Sequence, residues 1–267
     1  MSMGLWVGSW ETDVTMVDKD LPSALERWAT VALEEKWVHG WKPGAIFPRE
    51  MVSFLAACDV AGVMNVVESG RQDGYSTELI GYYARSRGGL AHSVDLEADH
   101  ARAARCRDRL VGQANLVLLK GNAVAFFGPI LSGERTAPTA LLVDGPKGYL
   151  AISMLLGASG FRWVRLGAIH NLNQGSAERE TFVRLSPGPH FYEEISGRVG
   201  DQWDALGLEE KEVCGGRQEG RSVEQSSLGI MRFEGLNRAR LVTTMHPRFW
   251  TWQPLRLFLK WRLANRL

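Results

Sequence analysis

Five short apolar runs follow one another through the middle of the chain: MNVVES (64–69), LAHSVDL (90–96), NLVLLKG (115–121), TALLVDG (139–145) and FRWVRLGA (161–168). Each is rich in Val and Leu, and none alternates strictly with polar residues, which is the pattern of a parallel strand covered on both faces. The stretches between them, 75–87, 98–111, 123–132 and 147–157, read as helices. Strand and helix in regular alternation predict right-handed crossovers and a doubly wound sheet. Two further strands are expected at LEEKEVC (208–214) and SLGIMRF (227–233), where the loop GGRQEGRSVEQS suits an antiparallel hairpin. The expected fold is therefore α/β, with a doubly wound, mostly parallel seven-stranded sheet, an N-terminal helical cap and a C-terminal antiparallel hairpin. Before the sheet, residues 22–38 read as a helix with Asp20 as its cap and Pro22 in its first turn, GWKPGAIF as a loop, and 49–60 as a second helix. No repeat or low-complexity linker divides the chain. The expected organisation is a cap or lid over 1–48, an α/β domain over 49–236 and a tail over 237–267.

Charge changes the picture only at the tail. The net charge of +1 over 267 residues gives no electrostatic case for nucleic acid. Seven bases and no acid follow Glu234, so a basic segment is attached to a body that is acidic on balance. Within PRFWTWQPLRLFLKWRLANRL (247–267), a helix from Leu255 is expected. It docks on the body or rests on an anionic membrane surface, with Trp250, Trp252 and Trp261 at headgroup level. Cys58, Cys106 and Cys214 lie far apart without CxxC spacing, which points away from zinc and toward a reducing, cytoplasmic compartment. No signal peptide and no spanning apolar stretch is read in the sequence.

In an open α/β sheet, ligands lie beyond the carboxyl ends of the strands. The first run ends in Glu68-Ser69-Gly70 and continues to Gly74-Tyr75-Ser76, a glycine-bracketed turn into a helix whose free N–H groups suit a carboxylate or phosphate. The same residues also make an ordinary strand-to-helix turn. Asp95 ends the second run 27 residues after Glu68, where a carboxylate can accept bonds from two ribose hydroxyls or serve a helix start. Asn122 and Ala123 follow the third run, and Asn122 either borders a flat ligand or caps the next helix. Asp144 emerges from four apolar residues, Ala140 to Val143, and His170 stands at the same edge.

These residues together resemble the motifs of class I S-adenosylmethionine-dependent methyltransferases. VVESGRQDGYST (66–77) resembles their glycine motif, VDLE (94–97) the acidic end of strand two, and KGNA (120–123) the adenine-side motif, with Asn122 where Asp is common. VDGPKGY (143–149) resembles the strand-four motif of the branch with catechol-type and sugar- or cephalosporin-type O-methyltransferases, and GAIFP (44–48) its substrate-side entry. The resemblance spans roughly 40–235. It implies a Rossmann-like fold with S-adenosylmethionine as cofactor and methyl transfer to a hydroxyl of a small molecule or glycan. It implies that Glu68, Gly70, Gly74 and Ser76 hold the methionine half, Asp95 the ribose, and Asn122 with Ala123 the adenine. Asp144 lies beside the sulfonium and the acceptor, and His170, Asp144 and Lys147 are the candidate catalytic set, with His170 as base. Metal-dependent members carry an Asp-Asn or acidic pair after strand five. Here the pair is His170-Asn171, so magnesium is disfavoured, since a hard cation prefers oxygen, and a metal held by Asp144, His170 and Asn171 would be a softer divalent ion; a metal-free site is the expectation.

Two other classes stay open. A nicotinamide dehydrogenase needs G-x-G-x-x-G, and this turn has only Gly70 and Gly74. A non-catalytic module that keeps the fold fits the altered strand-five pair. Trp6, Trp10, Trp28, Trp37 and Trp41 in the first 41 residues read as a cap packed on the sheet, or as a lid over a flat or sugar-like acceptor.

Overall fold

The computed structural model describes residues 15–133, 137–185, 191–195, 199–215 and 226–233. The five parallel strands stand where the apolar runs place them. They are β1 (Asn65–Ser69), β2 (Ala91–Asp95), β3 (Leu116–Lys120), β4 (Thr139–Val143) and β5 (Val164–Ile169). A sixth, β6 (Gly229–Arg232), runs antiparallel to β5, with Leu166 opposite Arg232 and Ile169 opposite Gly229. The order is β3-β2-β1-β4-β5-β6. The chain thus starts at the centre, travels out to β3 and returns beside β1, so the switch point lies between β1 and β4.

Both faces of the sheet are covered, which explains why its strands read as unbroken apolar runs. Successive side chains of a strand point to opposite faces. Val66, Ala140, Leu142 and Leu166 join a core with α1 (Thr15–Glu34), α2 (Trp37–Gly40), α3 (Pro48–Val60), α4 (Tyr75–Ser86) and α9 (Asp201–Cys214). Val67, Leu141, Val143 and Ile169 join a second core with α6 (Ala123–Gly133), α7 (Tyr149–Ala158) and α8 (Ala177–Leu185). The helix α5 (His100–Arg109) follows β2, and its start is capped by Asp99, which accepts from Ala101 N and Arg102 N at 3.0 Å each. Trp28, Trp37 and Trp41 are buried in the first core, with Trp41 stacked on Phe47 at 5.3 Å. Trp6, Trp10 and the basic tail lie outside the described residues, and no helix among those described is long and apolar enough to cross a membrane.

Three expectations are corrected. The described residues form six strands, not seven, because 208–214 is the second half of the helix α9 (Asp201–Cys214). Its buried residues, Trp203, Leu206, Gly207, Glu210 and Cys214, recur at helical spacing, a period hidden when the segment is read from Leu208. The expected hairpin is therefore replaced: β6 pairs with β5 alone, and residues 216–225 of the intervening loop lie outside the described residues. Finally, α1 begins at Thr15, so Asp20 and Pro22 fall inside the helix rather than at its start. It ends at Glu34, and Lys36 takes a left-handed conformation (φ 54°) before α2.

The second half of α9 has a structural task. Glu210 is fully buried and accepts from Arg49 N at 2.6 Å and Arg49 Nε at 3.2 Å, holding the start of α3. Burial pushes its carboxyl up to about 7, outweighing Arg49. The folded chain therefore holds a proton here that the unfolded chain releases from the ordinary carboxyl range upward. Stability from this group is full below that range and is lost as pH rises to about 7. Between pH 5.5 and 7.5 the wild type should lose about 2 kcal/mol more than Glu210→Gln does, as read by urea denaturation at each pH. Equal losses would show that Glu210 does not titrate in that window.

Candidate active site at the switch point

The turn from β1 into α4 is built around two glycines in the left-handed region, Gly70 (φ 81°) and Gly74 (φ 83°). A Cβ on Gly70 would stand 3.1 Å from the backbone of both Asp144 and Gly145, so the turn after β1 and the end of β4 touch at this point. One on Gly74 would stand 2.9 Å from Cys106 Sγ. Glu68 lies beneath the turn, fully buried. Its carboxylate accepts from Ser76 Oγ and Thr77 Oγ1 at 2.5 Å each and from Ser93 Oγ at 2.6 Å. Burial raises its pKa, and the three hydroxyls act against that rise. Its side chain is thus directed to α4 and β2.

Asp95 faces the turn from the next strand. It accepts from Arg71 N at 2.8 Å, Gln72 N at 3.3 Å and Glu97 N at 2.6 Å. A carboxylate offers about four acceptor sites, so three backbone donors leave room for a further hydroxyl. A cleft of about 430 Å³ opens beside it, bordered by Gly70, Asp95, Glu97, Asn122, Ala123 and Pro146 among others. Asn122 also caps α6, accepting from Val124 N at 3.0 Å. Sequence reasoning missed Arg71, which is buried and ties three strands together. Its guanidinium donates to Ser93 O at 2.7 Å and Leu119 O at 3.0 Å and pairs with Glu97. A lone base inside a glycine turn, with an acid two residues past Asp95, was the available signal.

On the other side of Gly70, Asp144 gathers three partners on one oxygen. Oδ1 meets His170 Nδ1 at 2.6 Å, Asn171 Nδ2 at 3.2 Å, and the ammonium of Lys147. Burial alone would raise its carboxyl; His170 and Lys147 more than reverse this and hold it below the usual range. The Lys147 side chain is 52% exposed, whereas that of His170 is 1% exposed. Behind His170 lies a second buried acid that the sequence did not single out. Glu50 Oε2 stands 3.6 Å from His170 Nε2, so the imidazole is held between two carboxylates. The signal for Glu50 was the spacing from Phe47, whose N–H it accepts at 3.1 Å at the start of α3. In front of Asp144, loop residues Lys42, Ala45 and Ile46 close on Gly70, Tyr75 and Ser76, leaving a gap of about 10 Å³.

A divalent metal does not fit Asp144, His170 and Asn171. The donor nitrogens of Asn171 and His170 are turned onto the carboxylate that a hard cation would need. No group of three His, Cys, Asp or Glu among the described residues has the arrangement of a metal site.

No family model and no curated protein matches the chain. Among solved structures it is similar to the O-methyltransferase TomG of Streptomyces achromogenes, involved in tomaymycin synthesis and solved with S-adenosylmethionine. The identity is 15% and the TM-score 0.43, over 78% of this chain and 87% of that one. It is similar to an O-methyltransferase of Bacillus cereus in complex with S-adenosylhomocysteine, at 15% identity and a TM-score of 0.39 over 79% and 90%. It is also similar to the methyltransferase PaMTH1 of Podospora anserina, bound to S-adenosylhomocysteine, at 13% identity and 0.41 over 80% and 89%. These likenesses are too distant to bear on function.

Proposed function

We propose that the chain is an S-adenosylmethionine-dependent methyltransferase acting on a hydroxyl of a small molecule or glycan. The observation that carries this reading is the double engagement of Asp95: it borders the open cleft and clamps the backbone of the glycine turn at the switch point. In this reading Asp95 takes the ribose, Asn122 and Ala123 border the adenine, and Gly70, Ser76 and Asp144 face the methionine half. Glu68 positions Ser76 and the turn from below, and Gly74 starts α4. When bound there, the cofactor would supply an electrophilic methyl carbon on a sulfonium, with the O–C bond to the acceptor forming as the S–C bond breaks and sulfur leaves as a neutral thioether. The protein mainly aligns the two reactants.

The burial of His170 favours a positioning role over that of base. It fixes the Asp144 carboxylate from behind, while the half-exposed Lys147 can reach an acceptor. Lys147, held as an ammonium by Asp144, orients the acceptor oxygen by donating to it, and the hydroxyl proton passes to solvent as the new O–C bond forms.

The test is calorimetry with S-adenosylhomocysteine. A Kd in the micromolar range is expected, about −8 kcal/mol. Asp95→Ala should weaken it about tenfold or more with the fold retained. Absence of binding by the wild type sinks the proposal. An unchanged affinity in Asp95→Ala would remove Asp95 from the ribose site.

A further inference from the structure

A second cavity, about 500 Å³, opens between the α2–α3 connection and α5. Its charged lining is Lys42, Arg102, Arg105 and Arg109 against one acid, Asp73. The three arginines are spaced three and four residues apart on α5, which puts them on one helix face. Arg107 turns away and meets Glu97 at 3.3 Å.

The acids present do not neutralise this groove. Asp73 is shared, standing 2.8 Å from Arg105 Nε and 3.8 Å from Arg102 Nε. Asp99, 3.7 Å from Arg102, and Glu78, 2.5 Å from Arg109, lie outside the lining. Lys42 makes no ion pair among the described residues. Arg109 is also pinned: it donates to Gly40 O at 2.9 Å, and its guanidinium lies 5.2 Å from the Tyr75 ring centre. With Nε on Glu78 and Nη2 on Gly40 O, Arg109 adds fixed positive charge, while Lys42 and the terminal amino groups of Arg105, whose Nε alone meets Asp73, carry the donors that a tetrahedral oxyanion takes.

The groove is continuous with the site described above. Lys42 and Asp73 also border the narrow gap below Asp144, and Arg102 also borders the cleft beside Asp95. We propose that this groove anchors a phosphate- or sulfate-type group carried by a small-molecule methyl acceptor; its link to an acceptor rests on the methyltransferase reading. A site that rejects acceptors lacking the anion gains specificity from a part of the substrate remote from the reacting oxygen.

The probe is inorganic pyrophosphate, titrated calorimetrically into the full chain at low salt, with and without saturating S-adenosylhomocysteine. Binding in the millimolar range or tighter is expected in both conditions. Arg105→Glu, at a side chain 60% exposed, should weaken it at least about tenfold and leave S-adenosylhomocysteine affinity within about twofold. No pyrophosphate binding at low salt, or equal binding by Arg105→Glu, overturns the site. Displacement of pyrophosphate by S-adenosylhomocysteine would place the anion in the cofactor cleft and also overturns it. Pyrophosphate binding in a chain that does not take S-adenosylhomocysteine would overturn the assignment to a methyl acceptor. A short single-stranded oligonucleotide that binds far more tightly than pyrophosphate would overturn the small-molecule reading.

Discussion

Glu50→Ala is expected to lower the free energy of unfolding by about 3–5 kcal/mol, with a fall in Tm of roughly 10 °C. The Glu50 carboxylate is 1% exposed and joins three parts of the chain. Oε1 accepts from Ser227 N at 2.6 Å, Leu228 N at 3.0 Å, Ser227 Oγ at 3.1 Å and Ser226 Oγ at 3.4 Å, which anchors the approach to β6. Oε2 accepts from Phe47 N at 3.1 Å, the first free donor of α3, and stands against His170. Alanine leaves the N–H groups of Phe47 and Ser227 buried without this acceptor, while Leu228 N and Ser226 Oγ keep their bonds to each other's residue, and each uncompensated loss costs about 1–3 kcal/mol where no water enters. Glutamine keeps one acceptor oxygen but turns an NH₂ group onto one set of donors, so Glu50→Gln should cost about half as much. Urea denaturation checks both variants. A change below about 1 kcal/mol in Glu50→Ala would mean that water or a rearranged loop replaces the carboxylate.

Glu50 also marks the boundary of what the sequence made legible. The five parallel strands and the edge residues Glu68, Asp95, Asp144 and His170 were readable because each depends on local pattern: an apolar run followed by a polar residue at its carboxyl end. Partnership was not readable. The bonds to Glu50 from Ser226, Ser227 and Leu228 cross more than 170 positions, and its 3.6 Å approach to His170 joins α3 to the end of β5. The spacing from Phe47 signals only its bond at the start of α3, and nothing local shows that this carboxylate reaches the approach to β6. The setting of His170 was hidden for the same reason. Its place on the strand edge was visible, while the acid behind it, which makes it an interior residue, was not. For 208–214 the failure was one of framing. A segment begun at Leu208, itself 72% exposed, lacks the Trp203 and Leu206 positions that reveal the helical period.

Gly70→Val is expected to weaken S-adenosylhomocysteine binding by at least about a hundredfold, close to 3 kcal/mol. Two costs combine. A β-branched residue at φ 81° sits in a region that only glycine enters freely, at about 1–3 kcal/mol. The added Cβ also meets the backbone of Asp144 and Gly145 at 3.1 Å, where neither partner is the end of a flexible side chain. The turn must then move away from β4, and it carries with it the Arg71 and Gln72 N–H groups that Asp95 holds. Gly62 separates the two costs. It also has positive φ, 63°, but a Cβ there meets nothing within 4 Å. Gly62→Val should therefore lose a similar amount of stability from backbone strain while keeping its cofactor affinity. Gly70→Ala serves as the milder variant, with a loss of about tenfold and a chain that remains folded by circular dichroism. Calorimetry on the four proteins decides the matter. Equal affinities in Gly70→Ala, Gly70→Val and wild type would mean that the close approach of the β1 turn to β4 has no part in holding the cofactor. A matching loss in Gly62→Val would mean that the effect is general destabilisation rather than closure of the switch point.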